Sequence, residues 1–150
     1  MDGMTDLERL VAIQALKDLK ARRDYAVDTK DWATYEAVHA PHHYSHNHGE
    51  ERRDGAKANT AWVAERLKDT VTVHHSHTPH FEFSSPTQAK GVWGMEDNIF
   101  WTEDGEDCWL QGFGFYHETY EKIDGAWLFT SRALTRQKLI VTRKPQGSDA

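Results

Sequence analysis

The sequence holds one cysteine, Cys108, among 150 residues. A lone cysteine excludes an intramolecular disulfide framework and suits a reducing compartment. No run approaches the roughly 20 apolar residues that a membrane-spanning helix needs. The opening Met1-Asp2-Gly3-Met4-Thr5-Asp6 is polar and acidic, without the basic start and apolar core of a signal peptide. There is no Lys/Arg block, and the formal charge is −6, so a nucleic-acid partner has little support. No internal repeat and no domain linker interrupts the chain. These absences leave a cytoplasmic, globular domain as the expectation, spanning 1–150, with a flexible tail from about 143 to 150.

What is present begins with a helix. Thr5-Asp6-Leu7-Glu8 has the spacing of a capping box, and the following stretch reads as helical to about Val27. Ala12, Ala15, Leu16, Leu19, Ala26 and Val27 share one face at helical spacing, and Arg23 falls in the middle of it. A charge there must snorkel outward, pair with a buried acid or face a wet cavity. Asp28-Thr29-Lys30-Asp31 breaks this helix and caps a short second one from Trp32 to about His39. Residues 42–49 suggest a short strand, 50–55 a charged loop, and 58–68 a third helix. Four long extended segments follow, at about 71–84, 88–102, 108–123 and 126–142. Asp124-Gly125 between the last two is a hairpin signal. Helices followed by hairpin-linked strands predict an α+β fold, with the helices packed on one face of a curved, mostly antiparallel sheet.

The ten histidines invite a metal reading. His75/His77 and His46/His48 each have the i, i+2 spacing that puts two imidazoles on one face of a strand. No cysteine accompanies them and no His-Glu-x-x-His helix is present, so exposed polar strand positions are the expected explanation and no metal is predicted. His74 points to the opposite face from His75 and His77. An aspartate at the end of the first helix, Asp28, is a candidate partner for it. A carboxylate bonded to one imidazole nitrogen fixes the tautomer and raises the basicity of the other nitrogen, which a base for C–H abstraction requires. Spacing alone equally allows a helix-capping aspartate and a polar strand histidine. Arg132 and Arg136 share a face of the last strand. They are either solvated or, if that face lines a cavity, suited to stabilising an anion.

The order of these features resembles the scytalone dehydratase and bile-acid dehydratase branch of the SnoaL-like enzymes, in the nuclear-transport-factor-two-like superfamily. The resemblance runs from about Leu7 to Arg136. It rests on Ala15–Arg22 of the first helix, on the break Val27-Asp28-Thr29-Lys30-Asp31-Trp32 and on the strand Val73-His74-His75-Ser76-His77-Thr78-Pro79. Gly91–Asp97 and Tyr120–Trp127 carry it through the later strands. It implies a cone-shaped α+β barrel around a mostly apolar cavity, no cofactor and no metal, and a homo-oligomer, commonly a trimer, with a dimer also open. By position Asp28 and His74 match the family's catalytic Asp–His pair, shared by the bile-acid dehydratase and hexachlorocyclohexane dehydrochlorinase, and Arg136 matches its pocket arginine. Arg23 stands where the dehydratases have a pocket tyrosine, and arginine is no general acid near neutral pH. It suits binding an anionic group or pairing with an acid, which keeps isomerisation open.

The implied function is a cofactor-independent, dehydratase-like lyase. It would abstract a carbon-bound proton from a cyclic apolar small molecule through Asp28, His74 and Arg136. Arg23, Tyr44, Trp93, Phe113 and Arg132 are the expected substrate contacts. A ketosteroid-type isomerase and a non-catalytic binding or assembly subunit of the same fold are the alternatives.

Overall fold

The computed structural model describes residues 3–148. Helix α1 (Asp6–Thr29) opens on the expected capping box: the Glu8 backbone N–H donates to Thr5 Oγ1, and the Thr5 backbone N–H donates to the Glu8 carboxylate at 2.8 Å. It ends where Lys30 turns left-handed (φ 57°). Asp31 then caps α2 (Trp32–Ala37) by accepting from the Thr34 N–H at 3.1 Å. Strand β1 (His39–Ser45), the two-residue β2 (Arg53–Asp54) and α3 (Ala56–Leu67) complete the first half. Four long strands follow: β3 (Val71–Ser85), β4 (Gln88–Glu103), β5 (Glu106–Ile123) and β6 (Ala126–Pro145).

The β4–β5 and β5–β6 connections are two-residue Asp-Gly turns. Asp104, Gly105, Asp124 and Gly125 all have positive φ, the conformation of the hairpin turns whose twist matches that of paired strands. The hairpins stack as a meander, and the sheet order is β2-β1-β6-β5-β4-β3. β1 joins β6 in parallel, so the sheet is mixed. It is also open rather than closed into a barrel, with β2 and β3 at its edges. The expected α+β arrangement of helices on one face of the sheet stands. The expected tail from 143 does not. β6 continues to Pro145, paired with Glu106, because β5 offers it backbone partners to that point. Residues 149 and 150 lie outside the described residues.

A bulge in β3 decides which side chains face the helices. His77 pairs with Gly94 but His80 with Val92, so one extra residue sits at Thr78-Pro79, where Thr78 has φ 39°. Before the bulge, Thr72, His74 and Ser76 face inward. After it, Phe81 and Phe83 do, packing beside Trp93, Tyr120 and Trp127.

The interior divides into an apolar end and a charged middle. Leu16, Leu19, Val38, Tyr120, Trp127 and Phe129 form the apolar end. Lys20, Arg23, His39, His43 and Glu118 are buried beside it. Lys20 and Glu118 form an ion pair, and Glu118 also accepts from the Tyr120 hydroxyl at 2.6 Å. Burial pulls the Lys20 ammonium down to about 8, against the attraction of Glu118.

His39 and His43 lie with ring centroids 4.5 Å apart. Burial disfavours the charged form of both. His43 is pushed down to about 3, although its bond to the Phe129 carbonyl opposes the shift. His39 is held well below its ordinary value by burial and then by His43. Above about pH 6.5 a histidine is neutral in both the native and the unfolded chain. Below that the unfolded chain takes up protons that the native state refuses, so stability falls with pH, by up to about 1.4 kcal/mol per pH unit for each such group. Thermal unfolding followed by circular dichroism is expected to show Tm dropping from about pH 6.5 downward. His43→Gln, which keeps one donor and one acceptor, is expected to make that drop shallower.

Candidate active site

Helix α1 crosses the inner face of β3 with its last two turns, and their polar side chains meet there. Asp28 is half-buried at the helix end. Its Oδ1 accepts from the Thr72 hydroxyl at 2.9 Å and lies 2.7 Å from His74 Nδ1. Its Oδ2 accepts from the His74 backbone N–H at 2.8 Å. An ionised carboxylate only accepts, so His74 Nδ1 carries a proton, and in the neutral imidazole Nε2 is then the nitrogen with the free lone pair. The His74 side chain is 8% exposed. One turn back on α1, Asp24 accepts from Ser76 Oγ at 2.6 Å. Asp24 and Asp28, four apart on the helix, thus grip three inward residues of β3.

Across the hairpin, His74 is registered opposite Asp97, which faces the same interior. Asp97 takes a bidentate pair of bonds from Arg136 Nη1 and Nη2, each 2.8 Å. Burial would raise the Asp97 carboxyl, but the Arg136 fork outweighs it and holds it below the ordinary carboxylate range. Arg136 therefore enters the site through Asp97, with both terminal nitrogens engaged.

Arg23 is 1% exposed, and the sequence alternatives resolve to pairing inside the fold. Its Nη1 donates to Asp24 at 3.0 Å and its Nη2 to the Tyr35 hydroxyl at 3.3 Å. Burial opposes its charge, yet the Tyr35 oxygen and Asp24 more than compensate and raise its pKa. Asp24 is held low in return, with Lys20 and Arg23 overcoming the effect of burial. Three charged side chains gather on the Tyr116 ring. Lys20 Nζ is 4.0 Å from its centroid, Arg132 4.2 Å and Arg23 5.9 Å. Among the described residues the Tyr116 hydroxyl is buried without a hydrogen-bond partner, as are Arg23 Nε and Arg132 Nε. Burial pushes the hydroxyl up to about 12, so it remains a donor.

Of the residues expected to contact substrate, Trp93 is buried in this interior, with its Nε1 donating to the Tyr120 hydroxyl at 2.9 Å. Two others are corrected. Phe113 is registered opposite Glu96 and lies between the inward Gly112 and Gly114, so strand alternation turns it to the outer face. Tyr44 lies under the Arg52 guanidinium, 3.8 Å from its ring, at an outer-face groove shared with His80 and His117. Asp97, Thr72, Ser76 and Tyr116 were missed. Counting by twos along β3 from His74 would have found Thr72 and Ser76. Asp97 required the β3–β4 register.

The sequence profile of the SnoaL-like domain matches residues 8–133. The chain belongs to the SnoaL-like family. Its fold is shared by hexachlorocyclohexane dehydrochlorinase LinA type 2, at 19% identity, 97% coverage of both chains and a TM-score of 0.82. A scytalone dehydratase-like protein from Novosphingobium aromaticivorans aligns at 22% identity over 98% of this chain and all of its own, with a TM-score of 0.80. The type 3 LinA of Novosphingobium barchaimii gives 18% identity, 92% and 94% coverage and a TM-score of 0.79. At these identities the likeness concerns the fold. No described helix of this SnoaL-like chain is long and apolar enough to cross a membrane.

The fork between Arg136 and Asp97 depends on the missing side chain of Gly112. A Cβ there would sit 1.7 Å from Arg136 Nη1 and 2.2 Å from Asp97 Oδ1. Gly112→Ala is expected to open the pair and cost about 3 kcal/mol, since it uncouples a buried carboxylate from its counter-charge. Urea unfolding checks this; a variant as stable as the wild type would show that the pair relaxes without loss.

Proposed function

We propose that the protein is a cofactor-independent, dehydratase-like lyase in which His74 removes a carbon-bound proton from a cyclic apolar small molecule. The Asp28–His74 contact carries this reading. With Nδ1–H committed to Asp28, Nε2 offers a lone pair held in one orientation. When it takes the proton, the C–H electron pair becomes the new carbon–carbon π bond, and the leaving group departs from the neighbouring carbon with its own bonding pair. The imidazolium then lies against the Asp28 carboxylate, which offsets its charge. If the leaving group is hydroxide, the proton on Nε2 can pass to it, releasing water and restoring the imidazole.

Negative charge developing in the interior needs donors that are already in place. Arg23 Nε, Arg132 Nε and the Tyr116 hydroxyl are buried donors without partners among the described residues, and they support that role. Trp93 supplies an apolar wall. Arg136 contributes positive charge at the site, with its position set by Asp97. The likeness to proteins named for dehydration and dehydrochlorination, both eliminations, supports lyase chemistry. Isomerisation is the second reading, favoured by Arg23. An arginine at that position protonates no leaving group, whereas return of the same proton to another carbon needs only His74.

Proton abstraction is measurable before the natural substrate is known. NMR in D2O reads deuterium entry at the acidic carbons of ring ketones and phenolic ketones. The wild-type protein is expected to accelerate exchange. His74→Ala is expected to lower the rate roughly a hundred- to ten-thousand-fold, and Asp28→Asn by about a hundredfold. Folded variants that exchange at the wild-type rate would remove the mechanism.

A further inference from the structure

The other face of β3 carries chemistry that the Asp28–His74 pair does not use. His75 and His77 project outward on either side of the inward Ser76, with ring centroids 6.0 Å apart. β3 is an edge strand, and on its neighbour β4 the residue registered directly opposite His75 is Glu96. Opposite His77 is Gly94, which adds no side chain to the space between the strands. The three outward side chains therefore converge, and their donor atoms all lie within 4.8 Å of one another.

We propose that His75, His77 and Glu96 form a binding site for a divalent transition-metal ion of the zinc class. Two imidazoles and one carboxylate suit such ions, and three protein ligands leave at least one position for water or another ligand. A tetrahedral ion with bonds of about 2.0–2.1 Å needs donors about 3.3 Å apart. The present separation closes by small side-chain rotations, which exposed residues make readily.

A second observation concerns how Glu96 is held. The Trp109 indole N–H donates to Asn98 Oδ1 at 3.0 Å. An indole only donates, so this bond sets the amide with its Nδ2 toward Glu96, whose Oε1 it approaches at 3.4 Å. Outer-shell bonds of this kind orient a ligating carboxylate and leave its second oxygen for the ion. Among the described residues no Lys or Arg pairs with Glu96 to compete for it. The sequence led us to expect no metal because neither a cysteine nor a His-Glu-x-x-His helix accompanies the i, i+2 histidines. The third ligand comes from another strand, 19 residues further along the chain.

The site is separate from the proposed base, because His74 points through the sheet to the other side. A bound ion would pin β3 to β4 just ahead of the Thr78-Pro79 bulge, raising stability by preferring the native state.

The test uses the full chain, stripped with a chelator and dialysed. Titration with Co2+ is expected to give one saturable equivalent with a visible d–d band, and Zn2+ is expected to displace it and to raise Tm. Glu96→Gln and the double variant His75→Ala/His77→Ala are expected to weaken binding at least about tenfold. Asn98→Ala is expected to weaken it less. His74→Ala and His80→Ala are expected to bind as the wild type does. All six positions of ligand, support and control can be checked for folding by metal-free Tm. The absence of saturable binding, or binding undiminished in the double variant, would overturn the proposal. Loss of exchange activity in His74→Ala with metal binding intact separates this site from the proposed catalytic one.

Discussion

The structure depends on one seam, where an aspartate pair on a helix is matched to alternate residues of a strand. Four residues of α-helix advance about 6 Å, and two residues of extended strand advance about 6.6 Å. Asp24 and Asp28 are four apart on α1; Ser76 and His74 are two apart on β3. The two repeats coincide closely enough for both carboxylates to be satisfied at once, at 2.6 Å and 2.7 Å. The helix descends as the strand ascends, so the two elements lie antiparallel along the seam. Because Asp28 also accepts from the His74 backbone, it fixes the strand as well as the ring. The orientation of the imidazole is thus a consequence of how helix and sheet dock.

The same docking forces charge into the interior. Lys20, Arg23 and Asp24 occupy one region of α1 and cannot all turn outward while Asp24 and Asp28 face the strand. The fold resolves this by giving each charge a partner. Glu118 takes Lys20, Asp24 takes Arg23, and aromatic faces from Tyr116 and Tyr35 lie beside the cations. A buried ion pair is a weak source of net stability, since desolvation offsets much of the attraction. What it does supply is selectivity among packings. Removing either member would leave a charge stranded, so alternative placements of α1 on the sheet are disfavoured. The preset positive charge around Tyr116 follows from this structural requirement, whatever chemistry it also supports.

The parts of the fold legible in the sequence are those set by short-range rules. The capping box at Thr5 and Glu8, the Asp-Gly turn at 124–125 and the break within 28–31 each depend on a few adjacent residues. The parallel pairing of β1 with β6 depends on segments about 90 residues apart and leaves no local trace. The two misplaced wall residues, Tyr44 and Phe113, fail for a related reason. Residue type says that a side chain is large and apolar, while its face depends on register and bulges. The extra residue at Thr78-Pro79 shifts the inward set from 72, 74 and 76 to 81 and 83, which puts His80 on the outer side. Asp97, the partner that determines how Arg136 is held, could be recognised only once β3 and β4 were aligned.

Strand alternation finally explains how so many histidines crowd one segment without interfering with one another. Adjacent residues on a strand point to opposite faces. His74 therefore sits among α1 carboxylates in a region largely closed to water, where a fixed hydrogen bond governs its tautomer. His75 and His77 face solvent, where rotamers are free and an ion can reach them. Any one-residue slip of β3 against β4 would exchange the two environments, placing His75 against Asp28 and His74 beside the outer carboxylate. The register that prevents this is held by Thr72, Ser76 and the His74 backbone together, three separate bonds to two aspartates. One strand can present a buried base on one side and open imidazoles on the other only because that register is over-determined from the helix.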